Sequence, residues 1–94
     1  MNPDFLSVGG IGCDLVTGTN EFTARKGYIR AIVVATDLSG ITNIKEMPNG
    51  VETTITSRSY IGTNTLGLGA FIVPDFPVKK ITLSAGSVYV YYGE

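Results

Sequence analysis

The run at residues 28–36, YIRAIVVAT, constrains the fold more than any other part of the chain. It is rich in β-branched and aromatic residues, which favour strands. Ile29 and Val33 fall on one alternating face, and Ile32 and Val34 fall on the other. A strand that is apolar on both faces is typical of the covered middle of a sheet, and its length and β-branching favour it over a buried helix. The run therefore predicts a central strand.

Short strands separated by turns are predicted for most of the remaining chain. We expect strands at residues 22–25, 41–46 and 51–60, a loop at 62–65, and a last hairpin whose arms, 78–84 and 87–92, flank Ala85 and Gly86. Pro48-Asn49-Gly50 indicates a turn, because proline presets φ and Asn-Gly accepts positive φ. Residues 51–60 alternate as a half-buried strand that pairs antiparallel with 41–46. No segment has a helical period, so the sequence predicts a small, single-domain, all-β fold, either an antiparallel β-sandwich or a jelly-roll-like barrel.

The N-terminal part differs from the rest in composition. Residues 1–21 are predicted to form a glycine-rich arm, and residues 22–94 the all-β domain. The arm contains a run with little capacity to pack, since glycine has no side chain: Val8, Gly9, Gly10, Ile11 and Gly12. This run does not match a phosphate-binding loop, because the G-x-G-x-x-G spacing is missing and neither a strand nor a helix flanks it.

Composition narrows the range of partners. Charged residues make up 16% of the 94 residues, and the formal net charge is −1. A nucleic-acid-binding protein usually has a clear basic patch, and none is evident here. No apolar run is long enough to span a bilayer, and the N-terminus lacks the pattern of a signal peptide. We therefore expect no nucleic-acid partner, no membrane partner and synthesis in a cytoplasm.

The residues for common catalytic and metal sites are largely missing. The chain has no histidine, which removes the usual general base and metal ligand. Cys13 is the only cysteine, and we expect it to be buried as a small apolar residue. Asp37, two residues before Ser39, and Asp75, directly after Pro74, stand in contexts where aspartate is favoured in turns. The sequence thus predicts no enzyme activity, no metal and no cofactor.

The aromatic C-terminal strand is the main candidate for an interaction site. Tyr89 and Tyr91 should share one face of this strand, and we add Tyr92 and Phe76 as candidate interface residues. Exposed tyrosines suit protein interfaces and sugar stacking, because the ring is apolar and the hydroxyl is polar. The period sets the face but not its burial, so an interface and a core face both stay open.

Three segments together resemble a known class of protein. They are FTARKGY at 22–28, AIVV at 31–34 followed by Asp37, and FPVKKITLSAGSVYVYY at 76–92. This pattern, and its C-terminal part above all, resembles small tailed-phage virion proteins of the head-fibre, decoration or auxiliary capsid type. The resemblance covers roughly residues 22–92.

The resemblance implies a structural protein on the outside of a bacteriophage capsid. Such proteins are all-β and often trimeric, so the expected partners are further copies of this chain, as a homotrimer, and the major capsid protein or other virion proteins. The expected location is the virion, after synthesis in the host cytoplasm. The Val8–Gly12 run is then a candidate capsid anchor. The alternative is a carbohydrate- or surface-binding β-sandwich module without catalytic activity.

Overall fold

The computed structural model describes residues 12–93, and these form one curled antiparallel sheet. The all-β prediction is confirmed. The strands are β1 (Cys13–Thr17), β2 (Phe22–Thr23), β3 (Tyr28–Val34), β4 (Ser39–Glu46), β5 (Thr53–Ile55), β6 (Gly62–Leu66), β7 (Phe71–Ile72), β8 (Val78–Ala85) and β9 (Ser87–Gly93). A short 3-10 turn, Pro48–Gly50, follows β4. Its Asn49 and Gly50 have φ of 55° and 76°, which confirms the turn predicted from the Asn-Gly pair.

The sheet curls into two halves that face each other. In the first half the order is β1-β9-β3-β7, and in the second half β8 lies between β2 and β4, while β5 and β6 also pair with β4. The halves meet where Ile29 of β3 pairs with Val78 of β8. Register shifts interrupt the β3–β9 and β4–β8 ladders. Such bulges bend strands and increase their twist, which allows a single sheet to fold over its own core.

Aliphatic side chains from both halves fill the space between them. The first half contributes Ile32, Val88 and Val90, and the second half contributes Ile44 and Ile81, all with no exposed surface. The run at 28–36 forms β3, which pairs with β9 on one side and with β7 and β8 on the other. The predicted central strand is confirmed, and burial of its β-branched side chains makes it the middle of the first half.

The predicted C-terminal hairpin is wrong, although both of its strands exist. Among the described residues β8 pairs with β2, β3 and β4, whereas β9 pairs with β1 and β3, so no ladder joins β8 to β9. The chain crosses between the halves at Gly86, which has a φ of 77°. A Cβ at Gly86 would lie 2.8 Å from the Cα of Ser39, so the corner is closed by a packed backbone that only glycine allows.

Two expectations for the middle of the chain also need correction. Only Thr53–Ile55 of the predicted strand at 51–60 is a strand, although it pairs antiparallel with β4 as expected. The predicted loop at 62–65 lies within β6, which pairs with the start of β4. The strand ends at Ile55, and Arg58, three residues further on, makes an ion pair with Glu46, a contact between positions twelve residues apart that local periodicity does not contain.

The all-β domain begins before residue 22, where the sequence predicted the boundary between the arm and the domain. Residues 13–17 form β1, which pairs with β9 in unbroken register from Cys13↔Tyr91 to Thr17↔Ser87. Val16 of β1 belongs to the core, where it is 3% exposed. The structure of residues 1–11, including Val8 to Ile11 of the candidate anchor, lies outside the described residues.

Candidate interaction face

An apolar row crosses the outer face of the first half of the sheet. Leu15 is in register with Tyr89, Tyr89 with Val33, and Val33 with Phe71, so these four side chains cross β1, β9, β3 and β7 in line. We call these four residues the apolar row. Neighbouring strands are about 4.8 Å apart, so the row is about 14 Å long. Because cross-strand neighbours touch, the row is a continuous apolar strip.

Much of the apolar row is accessible to solvent. Leu15 is 50% exposed, Tyr89 39% and Phe71 53%, while Val33 is partly buried between them. Single exposed apolar residues are normal on protein surfaces, but aligned ones form a patch of the kind that marks an interaction site. Val73, two residues after Phe71 and beyond the end of β7, is also 62% exposed.

The rows on either side of the apolar row also lack charge. On one side Cys13, Tyr91 and Ala31 are in register, and on the other Thr17 pairs with Ser87. The ladder positions on this outer face therefore contain no Asp, Glu, Lys or Arg in these three rows. Charged residues are depleted at the centre of protein interfaces, and aromatic residues are enriched there.

The outer face of the second half has the opposite character. Lys45 and Lys80 are in register on neighbouring strands, and acidic residues surround them. Glu21 lies 2.8 Å from the Lys45 ammonium and 3.9 Å from that of Lys80, and Glu52 lies 3.8 Å from Lys80. We call these four residues the charged face. Lys45 holds the pKa of the Glu21 carboxyl below its usual value. The outer face of the second half thus carries paired charges that suit contact with water, whereas the outer face of the first half carries the uncharged apolar row.

The candidate interface residues fall in different environments. Tyr89 and Phe76 are 39% and 44% exposed, whereas Tyr91 and Tyr92 are 3% and 1% exposed. Tyr89 and Tyr91 share the outer face as expected, and Tyr92 faces the core with Val88 and Val90. The structure brings Tyr89 and Tyr91 together on neighbouring rows. Phe76 lies in the segment between β7 and β8, outside the apolar row.

Sequence reasoning missed most of the apolar row. Leu15 was assigned to the arm, Val33 was assigned to the buried strand, and Phe71 was in a segment broken by glycines. These four residues are spread between positions 15 and 89 of the sequence, and they meet only through strand pairing. The single local signal was the apolar outer side of β3, where Ala31 and Val33 replace the polar residues that a solvent-facing strand surface usually has.

Tyr92 is part of a cluster that joins the two halves at one side. Its hydroxyl donates to Asp14 Oδ2 at 2.6 Å, and Arg25 Nε donates to the same oxygen at 2.8 Å. The Arg25 guanidinium also lies 5.8 Å from the centre of the Tyr92 ring. These bonds, with Arg25 first and Tyr92 second, hold the pKa of the Asp14 carboxyl below its usual value. The cluster fastens β1 to the segment that follows β2, so its role is structural.

A second ionic cluster lies at the end of β4. Glu46 has no exposed surface, and its carboxylate accepts bonds from Arg58 Nη2 at 2.7 Å and Nε at 3.3 Å. Arg58 Nη1 also lies 3.4 Å from Asp75, which is exposed. Burial and, after it, the Glu46 carboxylate raise the pKa of Tyr60 to about 12. The pairing accounts for the buried carboxylate, since an unpaired buried charge is costly.

Three hydroxyl side chains meet at the corner between the halves. Ser39 Oγ donates to the Thr36 carbonyl at 2.6 Å and accepts from the Ser87 amide at 3.1 Å, and the Thr36 and Ser87 hydroxyls are 2.5 Å apart. No imidazole exists in this chain to activate such a hydroxyl. Their partners are mainly turn amides and carbonyls, so they stabilise the corner.

The remaining single-residue expectations have mixed outcomes. Cys13 is exposed, so the expected burial is wrong. Partial desolvation and, after it, the Asp14 carboxylate raise the pKa of the Cys13 thiol, which lowers its reactivity at neutral pH. Asp37 lies in a turn as expected, but its Oδ1 accepts from the Leu68 amide at 3.2 Å, 31 residues away, rather than from a local amide. Gly12, the last residue of the candidate anchor, accepts from the Tyr92 amide at 2.9 Å and so extends the β1–β9 ladder.

Within residues 12–93 no group of His, Cys, Asp and Glu side chains is arranged to hold a metal ion. No helix in this part of the chain has the length and apolar character needed to cross a membrane. No family model, curated protein or solved structure matches this chain.

Proposed function

We propose that the protein is a non-catalytic structural component that assembles with other proteins through the outer face of the first half of its sheet. The observation that supports this proposal is the contrast between the two outer faces. The apolar row is uncharged and partly exposed, while the charged face has its lysines matched by glutamates. A protein that is surrounded only by water has no need for such an asymmetry.

The specific role we propose is that of a virion protein on the outside of a bacteriophage capsid. The support is the resemblance of residues 22–92 to small tailed-phage head-fibre, decoration and auxiliary capsid proteins. The partners are then the major capsid protein or other virion proteins, together with further copies of this chain. Low charge and an apolar sheet face suit a protein that remains packed against neighbours.

The test is to look for the protein in purified particles. Cells that carry the gene are lysed, DNA-filled particles are separated on a density gradient, and the chain is quantified by mass spectrometry against a capsid protein. Under the proposal the chain is present in a fixed ratio, and an antibody labels the particle exterior. Its absence from the particles would contradict the virion role.

Variants of the apolar row connect this role to the proposed face. Tyr89→Ser and Phe71→Ser place polar groups on exposed ladder positions, so the chain should still fold but be lost from particles. Thr23→Ser, on the outer face of β2, is the matched control and should be retained. If Tyr89→Ser and Phe71→Ser are retained as well as the control, the contact surface lies elsewhere.

Carbohydrate binding is less well supported. Sugar sites combine a stacking aromatic ring with polar groups that fix the hydroxyls. The neighbours of Tyr89 across the strands are Leu15 and Val33, neither of which can donate or accept through its side chain. A glycan array with the purified chain tests this alternative, and saturable binding that Tyr89→Ser abolishes would favour it.

A further inference from the structure

Among residues 12–93, β1 is an edge strand without the usual protection. Within residues 12–93, β9 is the strand with which it pairs, and its other edge has no strand beside it. Natural edge strands are commonly protected by lysine, proline or a bulge. β1 reads CDLVT and keeps unbroken register with β9 over its whole length. Its one charged residue, Asp14, is bonded to Arg25 and Tyr92.

The direction of the backbone groups follows from one hydrogen bond. Because the Tyr92 amide donates to the Gly12 carbonyl, Gly12 and Tyr92 are a hydrogen-bonded pair of the antiparallel ladder. Such pairs alternate along a strand, so Asp14 and Val16 also direct their amides and carbonyls at β9. The amides and carbonyls of Cys13, Leu15 and Thr17 therefore point away from β9, toward the edge along which no described strand lies.

These three residues are arranged symmetrically about the middle of the strand. Leu15 is the central residue of Cys13–Thr17. An antiparallel strand placed with a two-fold axis at Leu15 would set Leu15 opposite Leu15, and Cys13 opposite Thr17. A two-fold contact must be self-complementary in this way. None of the three side chains is charged, so like charges do not face each other.

We propose that two copies of this chain associate by antiparallel pairing of their β1 strands about a two-fold axis at Leu15. The pairing satisfies the outward amides and carbonyls of Cys13, Leu15 and Thr17. It also joins the two apolar rows end to end into one strip across both sheets. The inference deepens the proposed assembly role, but its test needs only the purified full chain, so either one can fail without the other.

Pairwise thiol cross-linking tests the register. Opposed residues of a hydrogen-bonded antiparallel pair have Cα atoms about 5.5 Å apart. In a Cys13→Ser background, Leu15→Cys should thus be linked efficiently into a covalent dimer by mild oxidation or a short thiol-bridging reagent. Thr17→Cys in the presence of Cys13 should also be linked, because these two positions are opposed.

Two further chains are the matched controls. Thr17→Cys in the Cys13→Ser background, and the natural chain with Cys13 alone, place like cysteines four residues out of register, about 14 Å apart. Both should remain mainly uncrosslinked. Equal cross-linking of all four chains indicates random collision and overturns the proposal. Absence of the Leu15→Cys dimer overturns the register.

Mass in solution gives a second, independent readout. The natural chain should have twice the single-chain mass of 10.0 kDa by size-exclusion chromatography with light scattering. Leu15→Lys should be monomeric at the same concentration with an unchanged circular dichroism spectrum, since half of this side chain is exposed. Leu68→Lys, at an exposed leucine outside β1, is the control and should remain dimeric. A monomeric or trimeric natural chain contradicts the pair.

Discussion

Glu46 is a buried carboxylate whose environment depends strongly on a single partner, Arg58. It has no exposed surface, and its two carboxylate oxygens are bonded to Arg58, whose side chain is 31% exposed. Pairs of this kind contribute little compared with apolar replacements, but removing one partner leaves an uncompensated buried charge. The pair also attaches the segment between β5 and β6 to the end of β4.

Arg58→Ala should therefore lower the free energy of unfolding by about 2–4 kcal/mol, less than for a fully buried pair because water reaches Arg58. Urea unfolding at pH 7 measures this. The double variant Glu46→Gln/Arg58→Gln should recover part of the loss, because no charge then remains buried. Lys80→Ala, on the charged face, is the control and should change stability by less than about 1 kcal/mol. A loss for Arg58→Ala no larger than that of the control would contradict the assigned role.

Gly86 is the residue on which the crossing between the halves depends. It has a φ of 77°, and a Cβ there would overlap the Ser39 hydroxyl and lie 2.8 Å from the Cα of Ser39. Gly86→Ala should destabilise the protein by more than about 3 kcal/mol, since backbone strain and overpacking act together. Gly69→Ala is the matched control: its φ is 85°, but nothing lies within 4 Å. It should cost only about 1–2 kcal/mol. Equal thermal shifts for the two variants would show that packing at Ser39 is unimportant.

At the scale of elements, the Asp14–Arg25–Tyr92 cluster joins β1 to the segment after β2. Burial, with the Asp14 bond second, raises the pKa of Tyr92 to about 12. An unfolded tyrosine has a pKa of about 10. Between about pH 10 and 12, Tyr92 therefore keeps its proton in the folded protein, whereas it has lost the proton in the unfolded protein. The contribution of the Tyr92 hydroxyl to folding stability is therefore complete below about pH 10 and is lost as the pH rises through about 12.

Tyr92→Phe should accordingly be less stable than the natural chain at pH 7, by about 1 kcal/mol for the lost hydrogen bond. The difference between the two proteins should shrink between about pH 10 and 12, because only the natural chain loses the contribution of this hydroxyl. Urea midpoints measured at intervals from pH 7 to 12 follow this difference, and titration of the other tyrosines cancels in it. A difference that does not change with pH would show that the Tyr92 hydroxyl does not titrate in this range.

The local sequence pattern predicts the positions of the strands but not their pairing. Residues 28–36, 41–46 and 78–92 are strands close to their predicted positions, because β-branched residue type and alternation are local properties of the sequence. The pairing of β8 with β4 and of β9 with β1 and β3 was not predicted. Strands that follow each other in sequence usually pair. Here the corner at Gly86 places β8 and β9 in different halves of the sheet.

At the scale of the whole molecule, the two outer faces of the sheet differ in charge. The charged face has four charged residues in mutual contact, whereas the apolar row and its neighbouring rows have none. The ion pairs and the proposed association surface therefore lie on different faces. The resemblance implies a trimer, while the edge of β1 that no strand within residues 12–93 covers is the basis of the proposed two-fold pair, and the mass in solution distinguishes them.

Association through β1 and the apolar row should resist salt. Raising ionic strength from about 0.05 to about 0.5 M screens exposed charges but leaves apolar burial and backbone hydrogen bonds in place. The mass from light scattering, measured over a dilution series at both salt concentrations, should not fall. Dissociation at high salt would mean that ion pairs, such as those of the charged face, form the contact instead.

The sequence by itself determined that this chain is all-β, where its longest strands lie, and that it lacks histidine-based chemistry, because these depend on residue type and local alternation. The tertiary structure decided which strands pair, and therefore which distant residues meet. Leu15, Val33, Phe71 and Tyr89 form one row, and Glu46 meets Arg58, only through strand pairing and loop closure. The physical reason is that a strand's alternation specifies its two faces, whereas its neighbours and its burial depend on the packing of the whole sheet.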